Sequence, residues 1–184
     1  MSFKVEFKNY LDELHKSLCE VSDWMYENPE LGFQEFKTSK HLVDYIQKNS
    51  KSVNYPSHGL ETAFDVTFGD DGPLVVICVE YDALPEIGHA CGHNIIATAS
   101  IGAGLGLKDI ASKLGIRVKL LGTPAEEGGG GKIILINEGA FEDASCSMMI
   151  HPGYEDVVNP TFTTIEHYTV EYFGKDAHAA GAPD

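Results

Sequence analysis

The sequence predicts an α/β domain with a largely parallel central sheet. Two observations support this fold class. Segments with helical periodicity alternate along the chain with short apolar segments that suit buried strands. The chain also has 184 residues, of which 43% are hydrophobic, and this is enough to bury one sizeable core. We therefore expect one main domain.

The N-terminal elements are predicted to be helices. Apolar residues recur every three or four positions over residues 7–25, and this amphipathic pattern ends near Asn28 and Pro29. The same period returns over residues 36–46, which predicts a second helix ending at about Asn49.

Strands are predicted to follow. Phe64, Val66 and Phe68 alternate with polar residues, and a GDDG turn separates them from an apolar run at residues 74–80. The run is apolar enough for a strand covered on both faces, so we expect a hairpin that leads into a central strand. Residues 94–114 are rich in Ala and Gly, which predicts one helix packed closely on the sheet.

Later segments continue the alternation. IRVKLLG and SCSMMI predict two further strands, with GKIILINEGA as a short helix between them. From about Thr164 the sequence HYTVEYF alternates and predicts a strand of a second domain. We therefore divide the chain into residues 1–163 and an incomplete second domain at residues 164–184.

Composition disfavours several classes of partner. The formal net charge of −15 would repel nucleic acids and anionic lipid surfaces. We find no apolar run long enough for a membrane span and no secretory signal, so we expect a cytoplasmic protein without a membrane partner. The four cysteines are far apart and are interpreted as buried thiols: Cys19, Cys78, Cys91 and Cys146.

The segment HACGHN places Cys91 and His93 two positions apart. Such side chains lie on the same side of an extended segment but on roughly opposite sides of a helix, so a shared metal ion requires a loop here. A helix that begins at about Asn94 would favour the thiolate form of Cys91. From these residues alone, Cys91 can be a structural thiol, a metal ligand or a nucleophile.

The loop GTPAEEGGGGK follows a predicted strand and carries Glu126 and Glu127. Neighbouring carboxylates point in different directions, so one can bind a cation while the other accepts a proton from water. A solvated acidic loop is the alternative. The glycine run argues against that alternative, because successive glycines lose chain entropy without benefit unless the backbone approaches something closely or adopts positive φ. The pattern does not fit a phosphate-binding Walker A loop.

Two further candidates also follow predicted strands. Asp82 comes directly after the run 74–80, and His151 ends an apolar strand before a Pro-Gly turn. Taken alone, Asp82 is explained as the cap of a turn, and His151 as a structural histidine whose hydrogen bonds are satisfied. Because strand ends in α/β sheets gather ligands at one edge, we expect them to converge with the other candidates. A Cys, two His and a carboxylate suit zinc, with manganese, cobalt or nickel as alternatives.

Several motifs in one order resemble a known family. VEYDALPEIGHACGHN, GTPAEEGGGGK, MMIHPG and YFGKDAHAAGAPD are similar to the amidohydrolase branch of the aminoacylase and carboxypeptidase-like metallopeptidases, which includes hippurate and auxin-conjugate hydrolases. WMYENPELGFQEFKTS resembles the N-terminal signature of that branch, and the pairing of EYDALP with HACGHN looks nearest to the β-alanyl-dipeptidase-like members. The resemblance implies a three-layer, zinc-exopeptidase-like sandwich that hydrolyses amide bonds of N-acyl amino acids or small dipeptides.

The resemblance also implies residue roles. One or two divalent ions would be bound by four ligands: Cys91, His93, Glu127 and His151. Glu126 would act as the general base and Asp82 would orient the site. His178 would stabilise the oxyanion from a small α/β lid domain, commonly across the interface of a homodimer.

Two departures from the family bear on these expectations. Asn94 stands where hippurate-hydrolase-like members carry Asp, which leaves the positioning of His93 open. Family members are longer and draw a further metal-binding histidine from a C-terminal half. The resemblance therefore implies an N-terminal fragment with little activity of its own. A metal-binding or dimerising relic, and a thiol amidase that uses Cys91, are the alternative functions.

Overall fold

A computed structural model describes residues 2–50, 52–158, 160–161, 163–164, 166, 168–178 and 180–181. Two compact units are present, at residues 1–152 and 153–184. The first unit holds all regular secondary structure of the described residues. The predicted domain boundary at residues 163–164 stays a prediction.

The helices are α1 (Phe3–Glu27), α2 (Phe36–Asn49), α3 (His93–Leu107), α4 (Ala111–Leu114) and α5 (Gly131–Asn137). The strands are β1 (Asp65–Phe68), β2 (Leu74–Val79), β3 (Arg117–Gly122) and β4 (Ala144–Met148). The alternation of helices and strands predicted from the sequence is confirmed, and so are the two N-terminal helices. No helix in the described part of the chain is both long and apolar enough to cross a membrane.

The four strands form one mixed sheet in the order β1-β3-β2-β4. Strand β2 pairs in parallel with both β3 and β4, so the prediction of a largely parallel sheet is confirmed. The predicted hairpin between β1 and β2 is wrong. Strand β1 instead pairs antiparallel with β3, because parallel neighbours already occupy both edges of β2.

Helices cover both faces of this sheet. Alternate residues of β2 point to opposite faces, as the period of a strand requires. Ile77 and Val79 join one core with α1, α2 and α3, whereas Val76 and Cys78 join a second core with Leu135 of α5. The result is the expected three-layer arrangement, with β2 at its centre.

The single helix predicted over residues 94–114 is two helices. Helix α3 ends at Leu107, where a turn closed by the Ile110 N–H to the Leu107 carbonyl (3.0 Å) interrupts it. Ile110 in this turn and Ala111 at the start of α4 are both buried. Gly115 ends α4 with φ 65°, a left-handed conformation that glycine adopts without steric penalty.

Two other expectations fail. No strand forms in the described residues of the segment 163–178, where Tyr168, Val170 and Tyr172 are exposed, since alternation alone does not make a strand without a paired neighbour. Of the four cysteines, Cys78 is buried and Cys91 partly buried, but Cys19 and Cys146 are exposed. Cys146 is exposed because β4 forms the edge of the sheet.

Candidate metal centre

The carboxyl ends of three parallel strands bring the candidate residues to one edge of the sheet. Strand β2 leads directly into Glu80 and Asp82, and β3 leads into the loop that carries Glu126 and Glu127. Strand β4 ends shortly before His151. This is the edge at which α/β sheets place ligands.

Cys91, His93 and His151 gather at this edge. Their potential ligand atoms all lie within 4.8 Å of one another. The Cys91 Sγ lies 3.5 Å from the His151 Nε2, and the two imidazole rings meet edge to face with centroids 6.1 Å apart. The clamp is possible because Cys91 lies in a turn while His93 opens α3, and Gly92 between them has φ 86°.

Asp82 fixes the orientation of the buried His93. The His93 Nδ1 lies 2.8 Å from the backbone carbonyl oxygen of Asp82 and 3.1 Å from its Oδ1. With Nδ1 donating to these acceptors, the tautomer leaves Nε2 free to bind a cation. The Asp82 Oδ2 accepts the Glu127 backbone N–H at 2.9 Å. One buried carboxylate therefore holds both the imidazole and the acidic loop.

Hydrogen bonding controls the ionisation of Asp82. Burial would raise the pKa of this carboxyl, but the hydrogen bonds from His93 and from the backbone of Glu127 lower it below its ordinary value. Burial would conversely lower the pKa of His93, but the hydrogen bond and charge of Asp82 and the charge of Glu80 raise it. The buried pair is thus held with the carboxylate ionised.

Three carboxylate oxygens face the free nitrogen of His93. The Nε2 lies 3.4 Å from the Glu80 Oε2, 3.7 Å from the Glu127 Oε1 and 3.8 Å from the Glu126 Oε2. The first two oxygens and the nitrogen are buried and have no hydrogen-bond partner among the described residues. Burial and the charge of Glu80 raise the pKa of Glu126. Buried polar atoms without partners are rare in native proteins, so a bound water or ion is expected at these atoms.

The glycine run shapes the acidic loop, as its sequence predicts. Gly130 has φ 63°, and a Cβ added to Gly131 would lie 1.8 Å from the Pro124 carbonyl oxygen. Ala125 also has positive φ, 56°, and its N–H donates to the Glu35 Oε1 at 2.8 Å. Close backbone packing thus presents the adjacent Glu126 to the site.

The charge around Cys91 differs from the sequence-based expectation. Burial, followed by the hydrogen bond and negative charge of Glu127, raises the pKa of Cys91 to about 12. The N-terminus of α3 was expected to favour the thiolate, but the carboxylates of the site outweigh it. Cys91 is therefore a thiol near neutral pH unless a cation compensates these charges.

Asn94 and His178, two of the predicted residues, make other contacts in the structure. The Asn94 Nδ2 donates to the Ser22 Oγ of α1 at 3.0 Å, so Asn94 anchors α3 to α1, while Asp82 positions His93. His178 belongs to the second unit, where its exposed Nδ1 accepts the backbone N–H of Gly181 at 3.1 Å.

Sequence reasoning missed three buried or partly buried charged residues near the site. Glu80 is 1% exposed, and one of its oxygens binds the Lys132 ammonium of α5. Glu35 is fully buried beside the acidic loop. The position of Glu80 directly after a buried strand, two residues before Asp82, was the available signal. The pairing of Glu80 with Lys132 depends on the fold, so no local sequence pattern predicts it.

Comparison with known proteins identifies the family. No protein-family model matches the chain. The chain is 38% identical to a mouse Xaa-Arg dipeptidase over 187 residues, which cover 94% of this chain and 43% of the relative. A crystal structure of a Bacillus subtilis dinuclear metal-binding peptidase of the M20 family matches 74% of this chain and 42% of that protein, at 25% identity and a TM-score of 0.66. The chain belongs to the aminoacylase and M20 amidohydrolase family.

A third relative has a different substrate in its name. The chain is 29% identical to one component of the p-aminobenzoyl-glutamate hydrolase from Escherichia coli, over 89% of this chain and 38% of the relative. The chain thus spans less than half the length of these curated relatives. Their names place this M20 chain in a lineage of peptidases and amide hydrolases.

Proposed function

We propose that this chain carries the cation-binding part of a site that hydrolyses amide bonds in N-acyl amino acids or small dipeptides. One observation carries the proposal: potential ligand atoms of Cys91, His93 and His151 converge within 4.8 Å, with the Glu127 Oε1 3.7 Å from the His93 Nε2. The relatives named as dipeptidases and amino-acid amide hydrolases supply the reaction class.

The residues fit a divalent cation. Thiolate, imidazole and carboxylate together form a donor set for zinc, and manganese, cobalt or nickel are the alternatives where oxygen ligands dominate. The buried oxygens of Glu80 and Glu127 that lack partners among the described residues are consistent with an ion between them. We propose Cys91, His93, Glu127 and His151 as the ligands for one ion, or for one of two.

The chain's own residues divide the chemistry between them. A bound cation would polarise the amide carbonyl and make a water molecule easier to deprotonate. Glu126 is the proposed general base, because its side chain is 40% exposed at the site and its raised pKa strengthens it as a proton acceptor. Asp82 holds His93 and the Glu127 backbone in place. His178 is proposed to stabilise the oxyanion in a homodimer, as the family resemblance implies.

The thiol amidase is the weaker alternative. A cysteine nucleophile reacts as the thiolate, and the raised pKa of Cys91, about 12, opposes that form. The neighbouring carboxylates would also repel a second negative charge at the sulfur. A metal-binding relic would bind the cation without hydrolysing amides. Only a measurement of turnover therefore distinguishes it from an enzyme.

The test measures release of free amino acid from N-acyl amino acids and from dipeptides that end in arginine. It uses the 184-residue chain and the longest protein that contains this sequence. We expect hydrolysis that stops on exhaustive chelation and returns with zinc or manganese, with the longer protein the more active. Glu126→Gln should abolish turnover while metal remains bound.

The matched control is Glu61→Gln, because Glu61 is an exposed glutamate outside the site. Activity of this variant should equal that of the natural sequence. Hydrolysis that survives chelation but is lost with iodoacetamide would favour the thiol amidase. Metal binding without turnover in either protein would favour the relic.

A further inference from the structure

The carboxylate of Glu80 is the one buried acidic group at the site, among the described residues, with no role in the proposed mechanism. It follows β2 and is 1% exposed. One oxygen binds the Lys132 ammonium, and the other, Oε2, has no hydrogen-bond partner in the described part of the chain. Burying a carboxylate oxygen without a partner is unfavourable, so a positive group is expected there.

The free oxygen lies at the spacing of a metal ligand. The Glu80 Oε2 is 3.4 Å from the His93 Nε2, and Glu80, His93 and Glu126 offer ligand atoms that lie within 4.8 Å of one another. Two ligand atoms bound to one ion at about 2.0–2.2 Å in tetrahedral geometry lie about 3.4 Å apart. A direct charge-assisted hydrogen bond would bring the two atoms to about 2.7–2.9 Å.

The balance of charge points the same way. Three carboxylates face the His93 Nε2, those of Glu80, Glu126 and Glu127, and the Asp82 carboxylate contacts the other ring nitrogen, Nδ1. Lys132 pairs with one oxygen of Glu80, so this lysine does not neutralise the other carboxylates of the group. A divalent cation would supply positive charge for these carboxylates.

We propose that Glu80 is a further metal ligand, bound through Oε2 to the same cation as His93. The inference rests on the proposed function, since it requires that function's metal site. The ligand atom of Glu126 lies within 4.8 Å of those of Glu80 and His93, so Glu126 would face the same cation. Lys132 holds the other oxygen, which restricts Glu80 to one bond with the cation. An added oxygen ligand makes the site more suitable for manganese than a site built only from nitrogen and sulfur ligands.

The test measures binding of Mn²⁺ by electron paramagnetic resonance, because the signal of the free ion disappears on binding. Glu80→Gln keeps an oxygen for Lys132 but replaces the free oxygen by an amide nitrogen, which does not bind the ion. Glu80→Asp keeps the charge but withdraws the carboxylate by one methylene. We expect both variants to weaken Mn²⁺ binding about tenfold or more.

Controls separate the possible failures. Glu61→Gln should bind Mn²⁺ as the natural sequence does, and circular dichroism and urea unfolding check that each variant is folded. If the natural sequence binds neither Mn²⁺ nor Zn²⁺, the proposed function itself fails. If it binds but both Glu80 variants retain full affinity, only the ligand role is overturned. Weaker binding by Glu80→Gln alone would show an effect of charge and would also overturn it.

Discussion

Two buried glutamates lie near the same acidic loop and differ in how their oxygens are satisfied. Glu35 is fully buried, and its two oxygens accept the Thr62 hydroxyl at 3.0 Å and the Ala125 N–H at 2.8 Å. Glu80 is almost equally buried, but only one of its oxygens has a partner among the described residues, Lys132. Among the described residues, both oxygens of Glu35 therefore have partners, whereas only one oxygen of Glu80 does.

This difference distinguishes a structural acid from a site for a cation. Burial raises the pKa of Glu35, and neutral donors partly offset that effect, so this residue needs no added charge. Its position ties α2 to the loop that presents Glu126. Glu80 instead directs a free oxygen at the His93 Nε2. Burial of a carboxylate alone therefore does not mark a functional site, whereas a buried oxygen without a partner calls for a bound water or ion.

Substitution of Glu35 is expected to have the largest effect, and this effect is on the stability of the protein. Glu35→Ala would leave the Thr62 hydroxyl and the Ala125 N–H without their buried acceptor, and each such loss costs about 1–3 kcal/mol. We expect the free energy of unfolding to fall by about 2–4 kcal/mol in urea titrations. Glu35→Gln keeps one acceptor and should lose less. An unchanged urea midpoint for Glu35→Ala would show that these contacts do not hold the loop.

A smaller effect is expected when the group that orients His93 is altered. Asp82→Asn can still accept the His93 N–H, but its amide would face the Glu127 N–H, which needs an acceptor. Loss of such an orienting partner typically lowers metal affinity about 10–100-fold. Competition with a chromophoric chelator for Zn²⁺ would measure this change. Equal affinity in the variant would mean that Asp82 does not position the ligands.

The local sequence pattern predicted the features that neighbouring residues determine, such as helical periodicity and the ends of buried strands. The helical period over residues 36–46 indicated α2, and residues that follow apolar strands were correctly expected to meet at one edge. Long-range choices were not predictable in this way. The partner of β1 depends on which edge of the sheet is open, and the exposure of Cys146 depends on its edge position.

The candidate site shows the same division. Asp82, Glu127 and His151 were selected because each follows a predicted strand, and Cys91 with His93 because of their spacing; their roles stay predictions. The pKa of Cys91 was misjudged, because burial and then the carboxylates of distant segments raise it, and neither is visible in the local sequence. The pairing of Glu80 with Lys132 joins residues 52 positions apart and leaves no mark in the local sequence.

The most direct test of the account is the absorption spectrum of the Co²⁺-loaded chain, because a cobalt–thiolate bond produces a strong charge-transfer band in the near ultraviolet. We expect this band in the natural sequence, together with the visible bands of a low-coordinate site, and its loss in Cys91→Ser. Cys146→Ser, which removes an exposed thiol, should leave the spectrum unchanged. A spectrum without the thiolate band, or one that Cys91→Ser does not alter, would contradict the claim that Cys91 binds a cation with His93 and His151.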